Sequence, residues 1–242
     1  MNQLNKFIRY CRQMVFPRPR SCLICNEKHQ KSGLYICEKC YDKVKRVYPP
    51  LCSNCGRPLA SNTYCTHCKN REYQFSQVLS FGIYEAHLRT LIHLFKYKKY
   101  SGIAYEIAKI MMSEMDLVNA IGNDILVPVP LHPNKVKTRG YNQSQVLCEA
   151  LSKNSQLSWA DLLIRKNNSP AQSTYNLKKR LNAVKGQFTA SKNIFTALNN
   201  KNIVLVDDVI TTGSTLNECA VVLKKCGVKR VRALTIATTL LK

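Results

Sequence analysis

Acidic residues are scarce in this chain. Only 14 Asp and Glu stand against 37 Lys and Arg in 242 residues, a formal charge of +23. The imbalance runs along the whole length rather than in one basic tail, and such a field favours polyanions: nucleic acid, anionic lipid or phosphorylated metabolites. Long apolar runs are missing too. No segment approaches the roughly 18 apolar residues of a membrane span. The first twenty residues carry Lys6, Arg9, Arg12, Arg18 and Arg20, which break up any secretory h-region. A reducing cytoplasm is therefore the expected compartment, and a disulfide scaffold is not. The length allows one full domain and a small second one.

Cysteine is plentiful, and its placement is informative. Of 12 cysteines, eight form four CxxC pairs: Cys22/Cys25, Cys37/Cys40, Cys52/Cys55 and Cys65/Cys68. Two thiolates separated by two residues grip one tetrahedral zinc from a tight turn, and a second pair completes the site. Sequential pairing gives two zinc ribbons, while spacing also admits a cross-braced arrangement. Pro49-Pro50, between the second and third pairs, favours two successive modules. Two Zn²⁺ sites of four thiolates lower the charge by four, from +23 to about +19, still strongly basic. His29 and His67 read as surface residues, because the thiolates already satisfy zinc. Basic and aromatic residues interleave through this region, among them Tyr41, Lys43, Lys45, Arg46, Tyr48, Arg57 and Tyr64. They suit a strand-tracking surface or a solvated ribbon face.

Residues Ile203 to Leu216 read IVLVDDVITTGSTL. The apolar run suits a strand buried on both faces of a parallel sheet. Its carboxylates then lie at the carboxyl end, where open α/β sheets place ligands. A hydroxyl- and Gly-rich turn into a helix offers N–H and O–H donors to an anion. Acceptors for sugar hydroxyls beside donors for phosphate fit a phosphorylated ribose.

The stretch resembles the phosphoribosyl-pyrophosphate (PRPP) signature of type I phosphoribosyltransferases. The resemblance implies that Asp207 and Asp208 bind the ribose hydroxyls, and that Thr211, Thr212, Gly213, Ser214 and Thr215 bind the 5′-phosphate. Purine-salvage members carry an Asp base where this chain has Thr211, which points away from that subgroup.

Elsewhere, Leu4, Phe7, Ile8, Cys11, Met14 and Val15 recur at helical spacing with cations between them. Such a helix docks on the body, a membrane surface or a polyanion. A strand is expected over 77–84, helices over 88–95 and 102–115, and a strand over 125–127. Residues 131–142 read as a loop carrying Lys135, Lys137 and Arg139. In a phosphoribosyltransferase the loop after the first core strand receives pyrophosphate, which needs cations. A helix follows over 143–152 and a strand over 159–164. The basic stretch Arg165 to Gly186 has the length of a flap. The final strand covers 231–237, and strands alternating with helices predict a parallel sheet. Lys96, Lys98 and Lys99, with Lys178, Lys179 and Arg180 of the flap, are candidate nucleic-acid contacts or plain solvated charge.

Three segments resemble the ComF family: VPVPLHPNKVKTRGYNQSQ (127–145), QSTYNLKKRLNAVKGQF (172–188) and VLVDDVITTGSTL (204–216). The paired knuckles match its double zinc ribbon, and LIHLFKYKKY (91–100) is similar to a further family segment. The helical spacing gives an amphipathic N-terminal helix over 1–20, of which about the first fifteen residues lie outside the family match; the resemblance implies a double zinc ribbon over 21–72 and a phosphoribosyltransferase-like α/β domain over 73–242. That domain is a parallel sheet with helices on both faces. It also implies a competence or DNA-uptake factor that handles incoming single-stranded DNA in the cytosol during natural transformation. A translocating helicase and recombination-loading proteins are its implied partners, and Mg²⁺ accompanies PRPP in its pocket. The alternative is a phosphoribosyltransferase of nucleotide salvage with purely structural ribbons. A PRPP-gated transcription regulator is disfavoured, since no helix-turn-helix is evident.

Overall fold

The computed structural model describes residues 19, 21–28, 35–60, 64–69, 71–97, 100–166, 185–191, 198 and 200–240. The N-terminal helical pattern, His29, Lys98, Lys99, Lys178, Lys179 and Arg180 lie outside them. A short helix, α1 (Glu38–Asp42), belongs to the first knuckle pair. The body then runs β1 (Val78–Ile83), α2 (Ala86–Tyr97), α3 (Ile103–Glu114), α4 (Leu117–Ile121), β2 (Ile125–Pro128), α5 (Pro133–Arg139) and α6 (Gln143–Lys153). It ends with β3 (Leu163–Arg165), β4 (Phe188–Ala190), β5 (Asn202–Ile210), α7 (Ser214–Lys225) and β6 (Arg230–Thr238).

Four strands form a parallel sheet in the order β1-β6-β5-β2. Successive strand side chains point to opposite faces, and both faces are apolar. Val204, Val206, Leu234 and Ile236 pack with Leu88, Ile92 and Phe95 of α2, Ile107 and Met111 of α3, and Leu147 and Leu151 of α6. Their neighbours Ile203, Leu205, Val231 and Ala233 pack with Leu216, Cys219 and Leu223 of α7. The expected parallel sheet with helices on both faces is what forms. Among the described residues, no helix is long and apolar enough to cross a membrane.

Two expectations need correction. Residues 133–139 form a helix, not a loop. His132 caps it by accepting from the Asn134 N–H at 3.2 Å, Pro133 opens it, and Gly140 ends it at φ +84. Val136 is its one aliphatic residue, too little for apolar periodicity, but the terminal signals of a helix are all present. The strand placed over 159–164 is also displaced. Trp159 makes only an isolated parallel bridge to Leu126. The strand proper, β3, pairs antiparallel with β4 in a separate two-stranded sheet. Lys166 N–H donates to Gln187 O at 2.8 Å, so the two ends of the expected flap are tied together.

The ribbon region is joined to this body. Val47 N–H donates to Phe81 O at 3.2 Å and Ile83 N–H to Lys45 O at 2.8 Å, adding a short bridge beside β1. Arg46 turns inward between the Tyr41 and Phe81 rings and pairs with Glu114 of α3 at 3.0 Å. Cys22 and Cys40 join the apolar cluster on the α2/α3 face, and Cys52, Cys55, Cys65 and Cys68 the cluster on the α7 face.

Candidate functional site

Strand β5 carries Asp207 and Asp208 toward its carboxyl end, the edge at which open α/β sheets bind ligands. Asp207 Oδ1 accepts from Asp208 N–H at 2.8 Å and from the Ser144 hydroxyl at 3.3 Å. Lys96 Nζ lies 2.8 Å from Asp208 Oδ1. Withdrawal from water and then the Asp208 charge push the Asp207 carboxyl up to about 7, while the Asp208 N–H, Lys96 and Ser144 pull it back. Burial works against the Lys96 ammonium, but the charge and hydrogen bond of Asp208, with Asp207 and Tyr84, together hold the group above its ordinary value. Lys96, considered above as a nucleic-acid contact, is paired with the acid pair of β5.

The loop after β5 turns at Gly213, whose φ of +77 only glycine adopts readily. A Cβ there would meet the Tyr73 ring at 3.3 Å and the Phe75 ring at 3.4 Å. Thr212 and Ser214 are buried, and their hydroxyls bond each other at 2.6 Å. Helix α7 starts at Ser214, so the loop delivers N–H groups and a positive dipole end to one spot.

Lys135 and Arg165 lie within electrostatic reach of the carboxylates. Partial loss of hydration, and then Arg139, Arg165 and Lys96, lower the Lys135 ammonium, with Asp208 opposing. Arg139 donates to Gln143 Oε1 at 2.9 Å and to the Tyr97 hydroxyl at 3.2 Å. Arg165, on β3, feels Asp207. It joins Lys135 in this although its sequence position marked only the start of a flap. Lys137 is exposed on α5.

Two residues of the ribbon and Tyr73, the first residue of the body, reach the loop, and sequence reasoning gave none of them this place. Arg57, read above as part of a strand-tracking surface, is 2% exposed and donates to Thr211 O. His67, expected on the surface, is half-buried and meets Thr212 O at 3.3 Å. Tyr73 donates its hydroxyl to the same carbonyl at 3.0 Å. Tyr48 and Tyr64 remain exposed.

The cysteines pair sequentially. Cys22, Cys25, Cys37 and Cys40 form one tetrad and Cys52, Cys55, Cys65 and Cys68 the other, each with its sulfurs within 4.8 Å of one another. Tetrahedral Zn–S bonds of about 2.3 Å set sulfurs about 3.8 Å apart. Cys25 and Cys37 Sγ lie 3.8 Å apart, and Cys55 and Cys65 Sγ 3.7 Å. Backbone N–H groups of Ile24 and Cys65 point at Cys22 and Cys52 Sγ, each at 3.4 Å, as thiolate ligands require. Both tetrads fit zinc.

Residues 11–69 match the model of a double zinc ribbon domain, and residues 157–240 that of a phosphoribosyl transferase domain. The chain is 31% identical over 231 residues to competence protein F of Haemophilus influenzae, covering 87% of this chain and 93% of that protein. It is 27% identical over 228 residues to DNA utilization protein YhgH of Escherichia coli, covering 92% and 98%. Competence protein ComFC of Bacillus subtilis is 25% identical over 238 residues, covering 90% and 92%. With this identity over nearly the full length of its relatives, and with the double zinc ribbon ahead of a phosphoribosyltransferase-like domain, the chain belongs to the ComF family.

Proposed function

We propose that the chain binds Mg·PRPP at the carboxyl end of its sheet and handles incoming single-stranded DNA in the cytosol during natural transformation. The observation that carries this reading is the Lys96–Asp208 ion pair at the end of β5, 2.8 Å long, beside a helix-starting hydroxyl loop; Lys135 feels Asp208 and Arg139, and Arg165 feels Asp207. In this reading Asp207 and Asp208 accept from the ribose hydroxyls. The N–H and O–H groups of Thr211, Thr212, Gly213, Ser214 and Thr215 hold the 5′-phosphate, and Lys135 and Arg139 face the pyrophosphate, with Lys137 at its rim. Thr211 offers no general base, so an acceptor would have to arrive deprotonated or be activated elsewhere. The DNA role rests on the relatives named for competence and DNA utilization and on the +23 charge. A translocating helicase and recombination-loading proteins are the partners it calls for.

The test is a single-stranded DNA titration with and without Mg·PRPP, on the wild type and on Asp207→Ala with Asp208→Ala. A PRPP-dependent shift in DNA affinity confined to the wild type supports a ligand-responsive DNA-handling factor. A salt dependence of about −0.7 per phosphate neutralised marks strand tracking. Tight PRPP binding with negligible DNA affinity would replace this reading with a salvage phosphoribosyltransferase.

A further inference from the structure

The third knuckle, Cys52 to Cys55, is pressed against the start of β1. Gly56 takes φ +67, and a Cβ there would stand 2.2 Å from Val78 O. The turn sends the next side chain, Arg57, inward. A guanidinium with 2% exposure must find partners for its donors and an anion for its charge. Arg57 Nε donates to Thr239 O at 2.6 Å, just past β6. Its Nη2 donates to Thr211 O and lies 3.5 Å from the Thr239 hydroxyl, and its Nη1 points at Cys55 Sγ at 3.4 Å. Once zinc is bound, Cys55 is a thiolate in a site of net charge −2, which gives Arg57 its counter-charge.

These contacts have a consequence for the loop. A trans peptide is planar, with its C=O and N–H pointing in opposite directions. Fixing Thr211 O therefore aims Thr212 N–H away from the ribbon. Fixing Thr212 O, as His67 Nε2 and the Tyr73 hydroxyl do at 3.3 and 3.0 Å, aims Gly213 N–H likewise. Such N–H groups are the donors an anion at a loop–helix junction needs. The first tetrad packs with α2 and α3 on the other face of the sheet.

We propose that Arg57, with His67 and Tyr73, forms a clamp through which the metallated second tetrad positions the phosphate loop. Anion affinity at the loop then depends directly on the second zinc site, through this clamp. The proposal rests on the reading of this pocket as a PRPP site. Arg57 is a positioning residue: it holds the loop's carbonyls and does not touch the ligand.

The test titrates the full-length protein calorimetrically with ribose 5-phosphate, which engages the loop, and separately with Mg·pyrophosphate, which engages the Lys135 and Arg139 side. Arg57→Lys keeps the charge but not the fork, and Tyr73→Phe removes one donor from outside the knuckles. With two zinc ions per chain retained, one for each tetrad, ribose 5-phosphate affinity falls about 30-fold in Arg57→Lys and about fivefold in Tyr73→Phe. Pyrophosphate affinity stays within about twofold. Arg46→Lys, which alters the link to α3 instead, leaves both ligands unaffected. Undiminished ribose 5-phosphate binding in Arg57→Lys overturns the clamp, and so do equal losses for both ligands, the mark of general softening. If Arg57→Lys sheds zinc, Tyr73→Phe decides by the same split. A wild type that binds neither PRPP nor ribose 5-phosphate sinks the pocket reading itself.

Discussion

Lys96 and Asp208 meet across 2.8 Å, joining the last turn of α2 to the acid pair at the end of β5. Side-chain exposures of 19% and 15% shield the pair from bulk water, so it is stronger than a surface ion pair. Two adjacent carboxylates at this edge repel each other, and Lys96, with the Asp208 N–H and the Ser144 hydroxyl, offsets part of that repulsion.

Lys96→Met removes that compensation and one cation of the proposed PRPP site. Mg·PRPP affinity should fall at least about tenfold, and the loss should shrink as ionic strength rises. Calorimetry at two salt concentrations checks this. Unchanged affinity would mean that the Lys96–Asp208 pair is purely structural.

Asp207 makes the pocket sensitive to pH. Its carboxyl is pushed up to about 7, above the unfolded value of about 3.9. A carboxyl with a raised folded pKa takes up a proton on folding. Its contribution to stability is therefore fullest below about pH 4 and is lost as pH rises through about 7. Urea midpoints of the ligand-free protein should fall from pH 5 to pH 8 more steeply in the wild type than in Asp207→Asn. PRPP affinity should run the other way and rise through about pH 7, because the ionised carboxylate is the better acceptor. A variant whose stability profile matches the wild type's would clear Asp207 of this role.

What the sequence revealed was local. Strand, acid pair, loop and helix of β5 to α7 are contiguous, and each knuckle spans four residues, so spacing alone carried their chemistry. The contacts it hid are long-range. Arg57 and Thr211 are 154 residues apart, and nothing in the pattern around Arg57 separates a buried guanidinium from a solvated one. Arg165 joined the cation group only because a three-residue strand turns away from the main sheet. Sequential zinc pairing was open on spacing and became definite once eight sulfurs fell into two groups.

Gly213→Ala tests the turn of the phosphate loop. The residue would have to hold φ +77 with its Cβ at 3.3 Å from the Tyr73 ring. A left-handed conformation costs a non-glycine residue about 1–2 kcal/mol, and the ring has to shift as well. Chemical denaturation should show a loss of about that size, with ribose 5-phosphate binding lost as the N–H groups turn. Retained binding at full stability would mean that the loop is not read by its backbone.

Zinc removal asks whether the ribbon and the body stand alone. Structural zinc sites contribute about 10–16 kcal/mol to folding, comparable with the whole stability of a domain, about 5–15 kcal/mol. Here the tetrads share apolar clusters with the body: Cys22 and Cys40 pack with Phe81 and Phe95, and Cys52 and Cys68 with Phe75 and Val78. The single tryptophan of the chain, Trp159, bridges to Leu126 of β2 and reports on the body through that strand. Chelation should release two zinc ions per chain, one from each tetrad, and change Trp159 fluorescence in step with that release. Unaltered Trp159 emission after both ions have left would make the phosphoribosyltransferase-like domain self-sufficient from about residue 73 onward. The hydrogen bonds from Val47 to Phe81 and from Arg57 to Thr239 would then join two independently stable parts. A coupled response would make metal occupancy a condition for the integrity of the pocket.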